Sequence, residues 1–102
     1  MRLRHGQVLR CTVEDADGKR VGRVIGTAPA DGGGEPELVL IQLGGRFGRR
    51  RWVTLAGATW SPGRLRLPVV RDAVEDAPCA QDARWGDPPD VARAFWRTLA
   101  EV

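Results

Sequence analysis

The feature that most constrains this chain is the segment Val13–Gly26, in which two apolar stretches flank the turn sequence Asp17-Gly18. An Asp-Gly pair between apolar stretches is a strong signal for a β-hairpin, because glycine tolerates a positive φ angle and aspartate can hydrogen-bond the nearby backbone. Gly22 and Gly26 interrupt the returning strand, and a glycine inside a strand marks a bulge or a bend. The segment therefore predicts a hairpin whose second strand bends, as strands do in a small barrel.

Short apolar stretches separated by turn residues continue through the first two thirds of the chain. We expect strands at residues 8–13, 21–26, 37–43, 51–55 and 64–67, a shorter one within 57–60, and a surface loop at 28–36. This spacing is typical of a small barrel or sandwich. The stretch 37–43 is apolar at both parities, so both of its faces should be covered. The barrel interior would cover one face, and the C-terminal segment or a second subunit would cover the other.

The pattern becomes helical after Val70. Residues 71–77 predict one helical turn, and Asp87 followed by Pro88 predicts the start of a longer helix. Its apolar residues share one face, with arginines opposite: Val91, Phe95, Leu99 and Val102, beside Ala92 and Trp96, against Arg93, Arg97 and Glu101. A helix of this length is marginal alone, so we expect it to dock on Leu38 and Leu40.

Length and charge limit the organisation and the class of protein. The 102 residues fit one structural domain, with a barrel at residues 1–80 and a docked tail and helix at 81–102. Residues 1–71 carry a net charge of +7 and residues 72–102 carry −4, so we expect the acidic segment to fold back on the basic body. No long apolar segment, secretory signal or cysteine scaffold is present, which favours a cytoplasmic protein.

The hairpin and the elements after it resemble a known family. The run Asp15–Val24, the apolar strand Leu38–Leu43, the strand Trp52–Leu55 and the closing acidic segment Asp72–Pro78 follow in the order found in PRC-barrel domains. The resemblance covers about residues 6–80. It implies a mainly β fold, a small antiparallel PRC-barrel-like β-barrel on which the C-terminal α-helix packs. It also implies a module that binds other proteins and is not an enzyme.

Candidate partner-binding residues fall in two places, an arginine-rich hairpin and the tail. They are Arg46, Phe47, Arg49, Arg50, Arg51, Trp85 and Trp96. Clustered arginines beside aromatic residues can contact phosphates and bases, but strand alternation sends Arg50 to the face opposite Arg49 and Arg51. The arginines could equally serve as a solvated strand edge. The two tail tryptophans could clamp the tail to the barrel or join two subunits.

No residue pattern predicts catalysis, a metal site or a cofactor. Asp15 and Asp17 resemble the opening of a calcium loop, but the later ligand positions hold Lys19 and Arg23, so a turn is favoured. His5 has no identifiable carboxylate partner. We therefore expect a non-enzymatic protein-binding or adaptor module without cofactors, with a homodimer as one possible assembly. The alternative is a nucleic-acid-binding barrel that uses the hairpin Arg46–Arg51.

Overall fold

The computed structural model describes residues 3–29, 34–44, 49–77 and 88–100, and its strands form one six-stranded sheet in the order β4-β3-β2-β1-β6-β5. In chain order the elements are α1 (His5–Val8), β1 (Thr12–Glu14), β2 (Arg20–Pro29), β3 (Pro36–Leu43), β4 (Arg50–Thr54), β5 (Thr59–Ser61), β6 (Arg64–Arg66), α2 (Arg71–Glu75) and α3 (Pro88–Ala100). Neighbouring strands are antiparallel except β1 and β6, which are parallel. The mainly β fold with a C-terminal helix is as predicted. Within the described ranges, no helix is both long and apolar enough to cross a membrane.

Asp15 organises the predicted hairpin between β1 and β2. Its side chain is 2% exposed, and its Oδ1 accepts hydrogen bonds from the backbone N–H groups of Asp17 and Lys19, each at 2.9 Å. Gly18 takes the positive φ of 81° that the turn requires. The N–H of Lys19, followed by those of Asp17 and Arg71, lowers the pKa of the Asp15 carboxyl, while burial acts in the opposite direction. The acidic turn is therefore a hydrogen-bonded hairpin.

Two glycines in β2 serve different purposes. The register with β3 shifts between Val24 and Gly26, so the strand is irregular where Gly26 predicts a bulge or a bend. Gly22 permits close approach of the two strands, because a Cβ at this position would lie 2.1 Å from the carbonyl oxygen of Gln42. Of the loop predicted at residues 28–36, the first two residues belong to β2, which runs to Pro29, and the last one begins β3.

The strand predicted at residues 8–13 is only partly correct. Val8 ends the short helix α1 and is fully buried, Leu9 is 40% exposed, and β1 begins at Thr12. Arg10 lies between them with a φ of 66°, a left-handed conformation that turns the chain from the helix into the strand. The apolar alternation over residues 8–13 therefore predicts the strand correctly only from Thr12. Cys11 is buried, and its thiol donates to the carbonyl of Gln7 at 3.2 Å.

The strand β3 is covered along one face and over the first part of the other, whereas Gln42 near its end is exposed, so its apolar sequence predicts the cover only in part. Val39 and Ile41 are fully buried on one face, and Leu38, on the other, is 1% exposed. Leu38 and Trp96 line the same cavity, and α3 lies against β4. Of the two covers predicted for the second face, the structure shows the C-terminal segment of the same chain.

The docked face of α3 differs from the predicted one. Ala92 and Trp96 are its buried residues, at 0% and 5% exposed, whereas Leu99 is 44% exposed. The side chain of Arg93, predicted to face solvent, is 13% exposed and its Nε donates to Glu37 at 2.8 Å. The small side chain at Ala92 allows a close approach to the sheet. Because Ala92 and Trp96 lie on the same face of α3, the Trp96 indole then reaches the backbone of β4.

The outer edge of β4 is protected by side chains of its own chain. The backbone N–H groups of Leu43 and Leu55 donate to the carbonyls of Arg49 and Glu37, so the N–H and C=O groups of the odd-numbered residues of β4 point towards β3. The carbonyl of Trp52 therefore points away from β3. It accepts a hydrogen bond from Nε1 of Trp96 at 2.9 Å. The next outward carbonyl, that of Arg50, accepts from Nη1 of Arg51 at 3.2 Å. Such protection prevents unwanted pairing at a sheet edge.

Candidate functional site

A row of polar side chains crosses the solvent-facing side of the sheet. Residues directly opposite one another on adjacent strands point to the same side. The register aligns Arg50, Gln42, Arg23, Thr12, Arg64 and Ser61, one from each strand from β4 to β5. Its three arginines, which we name the arginine row, are exposed and occupy every second strand. Two strand spacings separate them by roughly 10 Å.

The adjacent row along the strands confirms which side faces the core. It contains Leu65, Val13, Gly22 and Leu43, which are paired across β6, β1, β2 and β3. All four are buried. The one-residue alternation of the strands therefore places the arginine row on the opposite, solvated side of the sheet.

An apolar hollow borders the arginine row at Arg23. The concavity is lined by Leu9, Arg10, Arg23, Val24 and Ile25. Leu9 and Ile25 are 40% and 37% exposed, and Ile25 lies in the register shift of β2, where it has no partner on β3. The N–H of Arg10 donates to the carbonyl of Val24 at 2.9 Å, which holds the two sides of the hollow together. Exposed apolar residues beside arginine are typical of a protein-binding surface.

Positive charge is distributed unevenly over this face. The half-buried carboxylate of Glu14 lies 3.9 Å from Nε of Arg64 and 4.0 Å from Nη2 of Arg66. It therefore offsets part of the charge on β6. Across the described ranges, no carboxylate lies within ion-pair distance of Arg20 or Arg23. The strongest positive potential is expected at β2, beside the apolar hollow.

The predicted arginine hairpin does not form one patch among the residues described. Arg46, Phe47 and Trp85 lie outside the described residues. Arg50 lies in the arginine row, on the side opposite Arg51 as the alternation predicts, and Arg49, just before β4, is exposed. Nε of Arg51 donates instead to the carbonyl of Glu75 at 3.2 Å, which attaches β4 to α2. Of the tail tryptophans, Trp96 is placed in the packing between α3 and the sheet.

Sequence reasoning missed the residues that the sheet brings together: Leu9, Arg10, Arg23, Ile25 and Arg64. The alternation of Arg64, Leu65 and Arg66 does indicate two arginines on one face of β6. That these lie beside β1 depends on a parallel pairing between residues about fifty positions apart. No local pattern encodes that pairing, so the arginine row could not be assembled from the sequence.

The single histidine, His5, has a role in the fold. The ring nitrogens of His5 are hydrogen-bonded to the hydroxyl of Thr27 and to the carbonyl of Gly34, which ties α1 to β2 and to the segment before β3. Among the residues that the structure describes, no three His, Cys, Asp or Glu side chains are grouped so that they could hold a metal ion. The chain matches no known family model and no curated protein.

A second cavity, of about 330 Å³, lies between α3 and the sheet. Its lining is mainly apolar and includes Leu38, Val69 and Trp96. Two of its charged groups, Arg93 and Glu37, bond to each other at 2.8 Å, and Arg97 adds one exposed cation at its margin. A single exposed cation is a weaker recognition signal than a row of arginines beside an apolar hollow, so we take the solvated face of the sheet as the candidate site.

Proposed function

We propose that this chain is a non-enzymatic, PRC-barrel-like protein that acts by binding another protein, and that the arginine row with its apolar hollow recognises an acidic segment of that partner. The observation that carries the proposal is the alignment of Arg50, Arg23 and Arg64 on one exposed face. Six strands followed by the helical turn α2 support the PRC-barrel-like assignment. Closure of the sheet into a barrel and a cytoplasmic location belong to the same proposal.

The spacing of the arginines favours an extended partner. In a polyproline II conformation every third side chain lies on the same side, about 9 Å along the chain. This distance is close to the roughly 10 Å between neighbouring arginines of the row. An extended segment with an acidic residue at every third position could therefore place one carboxylate at each arginine, and an apolar residue between them could enter the hollow at Leu9 and Ile25.

Two features favour protein over nucleic acid as the partner. The six positions aligned with the arginine row include no aromatic residue on which a base could stack. The same face carries the carboxylate of Glu14 and the exposed apolar residues of the hollow, which suit the mixed chemistry of a protein surface better than a polyphosphate chain. Nucleic acid is the competing ligand in the experiment below.

A homodimer is a separate part of the proposal. The second face of β3, which suggested a subunit contact, is covered by α3 of the same chain. A dimer would therefore use another surface, and the exposed hollow at Leu9 and Ile25 is available for this purpose. Light scattering over a range of concentrations tests it, and a monomer throughout would remove the dimer from the proposal.

Binding of a defined peptide tests the proposed function. The probe is a short fluorescent peptide with glutamate at every third position and one central leucine, measured by fluorescence anisotropy at low salt. We expect the double variant R23E/R64E to bind at least about tenfold more weakly, since it replaces attraction with repulsion at two contacts. The matched control R97E changes an exposed arginine on α3 and should stay within about twofold of the unmodified chain.

Three results would contradict the proposal. The first is no measurable binding of the peptide at low salt, where electrostatic attraction is strongest. The second is equal loss of binding in R23E/R64E and R97E, which would indicate a dependence on net charge alone. The third is tighter binding of single-stranded or duplex DNA than of the peptide, with the same loss in R23E/R64E, which would assign the face to nucleic acid.

A further inference from the structure

Three arginines from two elements converge on one concavity beside the arginine row. The cleft, of about 530 Å³, is lined by Arg20 and Arg23 of β2, Gln42 of β3 and Arg71, the first residue of α2. The other lining residues are Val21, Gly22, Ile25, Leu43 and Gly44, so none of the acidic side chains that the structure describes lines it. We name this concavity the arginine cleft. It is continuous with the arginine row, because Arg23 belongs to both.

We propose that the arginine cleft binds a phosphoryl group carried by the acidic partner segment, as phosphoserine or phosphothreonine. This inference rests on the proposed function, since the segment must first lie along the arginine row. A carboxylate brings one negative charge, whereas a phosphorylated side chain brings nearly two and three strong acceptor oxygens. Three guanidinium groups, each able to donate two parallel hydrogen bonds, match the phosphoryl group better than a carboxylate. The amide of Gln42 can supply a further donor.

Arg71 is held in an ion pair that a ligand could replace. Its Nε lies 2.9 Å from Oε1 of Glu75, one helical turn further along α2. The side chains of Arg71 and Glu75 are 47% and 45% exposed, and such surface pairs are weak and easily rearranged. A phosphoryl group in the cleft would compete with Glu75 for the guanidinium. Removing the charge of Glu75 should therefore strengthen phosphoryl binding, and a merely structural role for this pair would not have that effect.

The test compares two peptides that differ at one position. Both have glutamate at every third position and a central leucine, and one glutamate is replaced by phosphoserine in the second peptide. We expect the phosphopeptide to bind about tenfold more tightly to the unmodified chain. In R71Q this advantage should fall to about twofold or less, while the glutamate peptide, whose carboxylate accepts fewer hydrogen bonds in the cleft, should bind no more than about twofold more weakly. In E75Q the advantage should increase by about twofold, and R97Q should behave like the unmodified chain. Thermal unfolding of each variant checks that the fold is retained.

The outcomes separate this inference from the proposed function. Equal affinity for the two peptides, or an advantage that survives in R71Q, would overturn the phosphoryl site and leave the acidic-segment proposal standing. No binding of either peptide would overturn both. Inorganic phosphate is the competitor that separates a free anion from a peptide-borne phosphoryl group, and displacement at equal concentrations would contradict the assignment to a peptide. Tighter, Arg71-dependent binding of a short single-stranded DNA would also overturn it.

Discussion

The indole Nε1 of Trp96 donates a hydrogen bond to the backbone carbonyl of Trp52 at 2.9 Å, and this contact fixes α3 against the outer edge of β4. Trp96 is 5% exposed, so its ring also contributes buried apolar area. The arginine row lies on the sheet against which this helix packs, so the stability of the site depends on the docking of α3.

Two substitutions at Trp96 separate the hydrogen bond from the packing. We predict that Trp96→Phe lowers the free energy of unfolding by about 1 kcal/mol, because a phenyl ring cannot donate to Trp52 and leaves that carbonyl unpaired. Trp96→Ala should cost about 3–5 kcal/mol, since it also creates a cavity. Urea denaturation measures both. Leu99→Ala is the control on the exposed side of α3 and should cost about 0.5 kcal/mol or less; a larger loss there than at Trp96 would restore the helix face expected from the sequence.

The contact between Arg93 and Glu37 should stabilise the docked helix by a measurable coupling. The Arg93 guanidinium bonds to Glu37 at 2.8 Å and to the carbonyl of Pro29 at 2.6 Å. A double-mutant cycle with Arg93→Met and Glu37→Gln should give about 0.5–1 kcal/mol of coupling that decreases at high salt. Arg93→Met alone should be the more damaging change, because the Pro29 carbonyl also loses its donor. A coupling of zero at low salt would show that the pair does not secure α3.

Asp15 should make the stability of the hairpin depend on acid pH. Its pKa in the folded protein is lowered below the ordinary value of 3.8, first by the N–H of Lys19. The stabilisation is therefore fully present above the unfolded pKa of about 4 and is lost as the pH falls through the lower folded pKa. Asp15→Asn should flatten this part of the pH profile, and Asp15→Ala should destabilise the protein further at neutral pH because the N–H groups of Asp17 and Lys19 lose their acceptor. Thermal unfolding between pH 2 and 7 measures the effect, and identical profiles for all three proteins would contradict it.

Replacing Arg10 should weaken peptide binding without lowering the stability of the fold. Its φ of 66° is costly for a residue with a Cβ and costs nothing for glycine. Arg10→Gly should therefore leave the free energy of unfolding unchanged or raise it by up to about 1 kcal/mol. The same change removes a cation from the hollow that Leu9 and Ile25 form, so binding of the acidic peptide should weaken several-fold. Loss of stability together with unchanged binding would assign Arg10 to the fold alone.

Gly22 should be the least replaceable glycine of β2. A Cβ at this position would meet the Gln42 carbonyl oxygen at 2.1 Å, so the two strands would have to separate. We predict that Gly22→Ala costs about 3 kcal/mol, the upper end of the usual cost of overpacking. Gly26→Ala is the matched control, because its Cβ would lie 3.5 Å from Leu40, an ordinary contact. Chemical denaturation of the two variants decides the matter, and equal losses would show that the close strand approach at Gly22 is unimportant.

The parts of the fold that depend on nearby residues could be predicted from the sequence. The Asp-Gly turn, the doubly apolar strand β3 and the start of α3 at Pro88 each follow from local backbone preference or from the polarity of a few adjacent side chains. The sequence predicts a strand at Val8 and Leu9 because a helical turn followed by a left-handed residue, Arg10, gives an apolar pattern similar to that of a short strand.

The candidate site depends on contacts that no local pattern contains. The arginine row requires the parallel pairing of β1 with β6, which places Arg64 opposite Thr12 and so in line with Arg23. The docked face of α3 depends on the position of the Trp52 carbonyl that accepts from Trp96. Because of this contact, Ala92 and Trp96 are buried against the sheet, in place of the face that carries Val91 and Leu99. The sequence showed that the chain is basic and that β6 carries arginines, but the surface they form is a property of the sheet order.

Backbone amide chemical-shift mapping tests the central claim most directly. The nitrogen-15-labelled chain is titrated with the glutamate peptide, and the shifted amides are located on the sheet. The account predicts that the largest changes occur around Thr12, Arg23, Ile25 and Arg64, with little change along Ala92–Thr98 of α3. Changes concentrated on α3, or distributed evenly over the surface with no maximum at the arginine row, would contradict it.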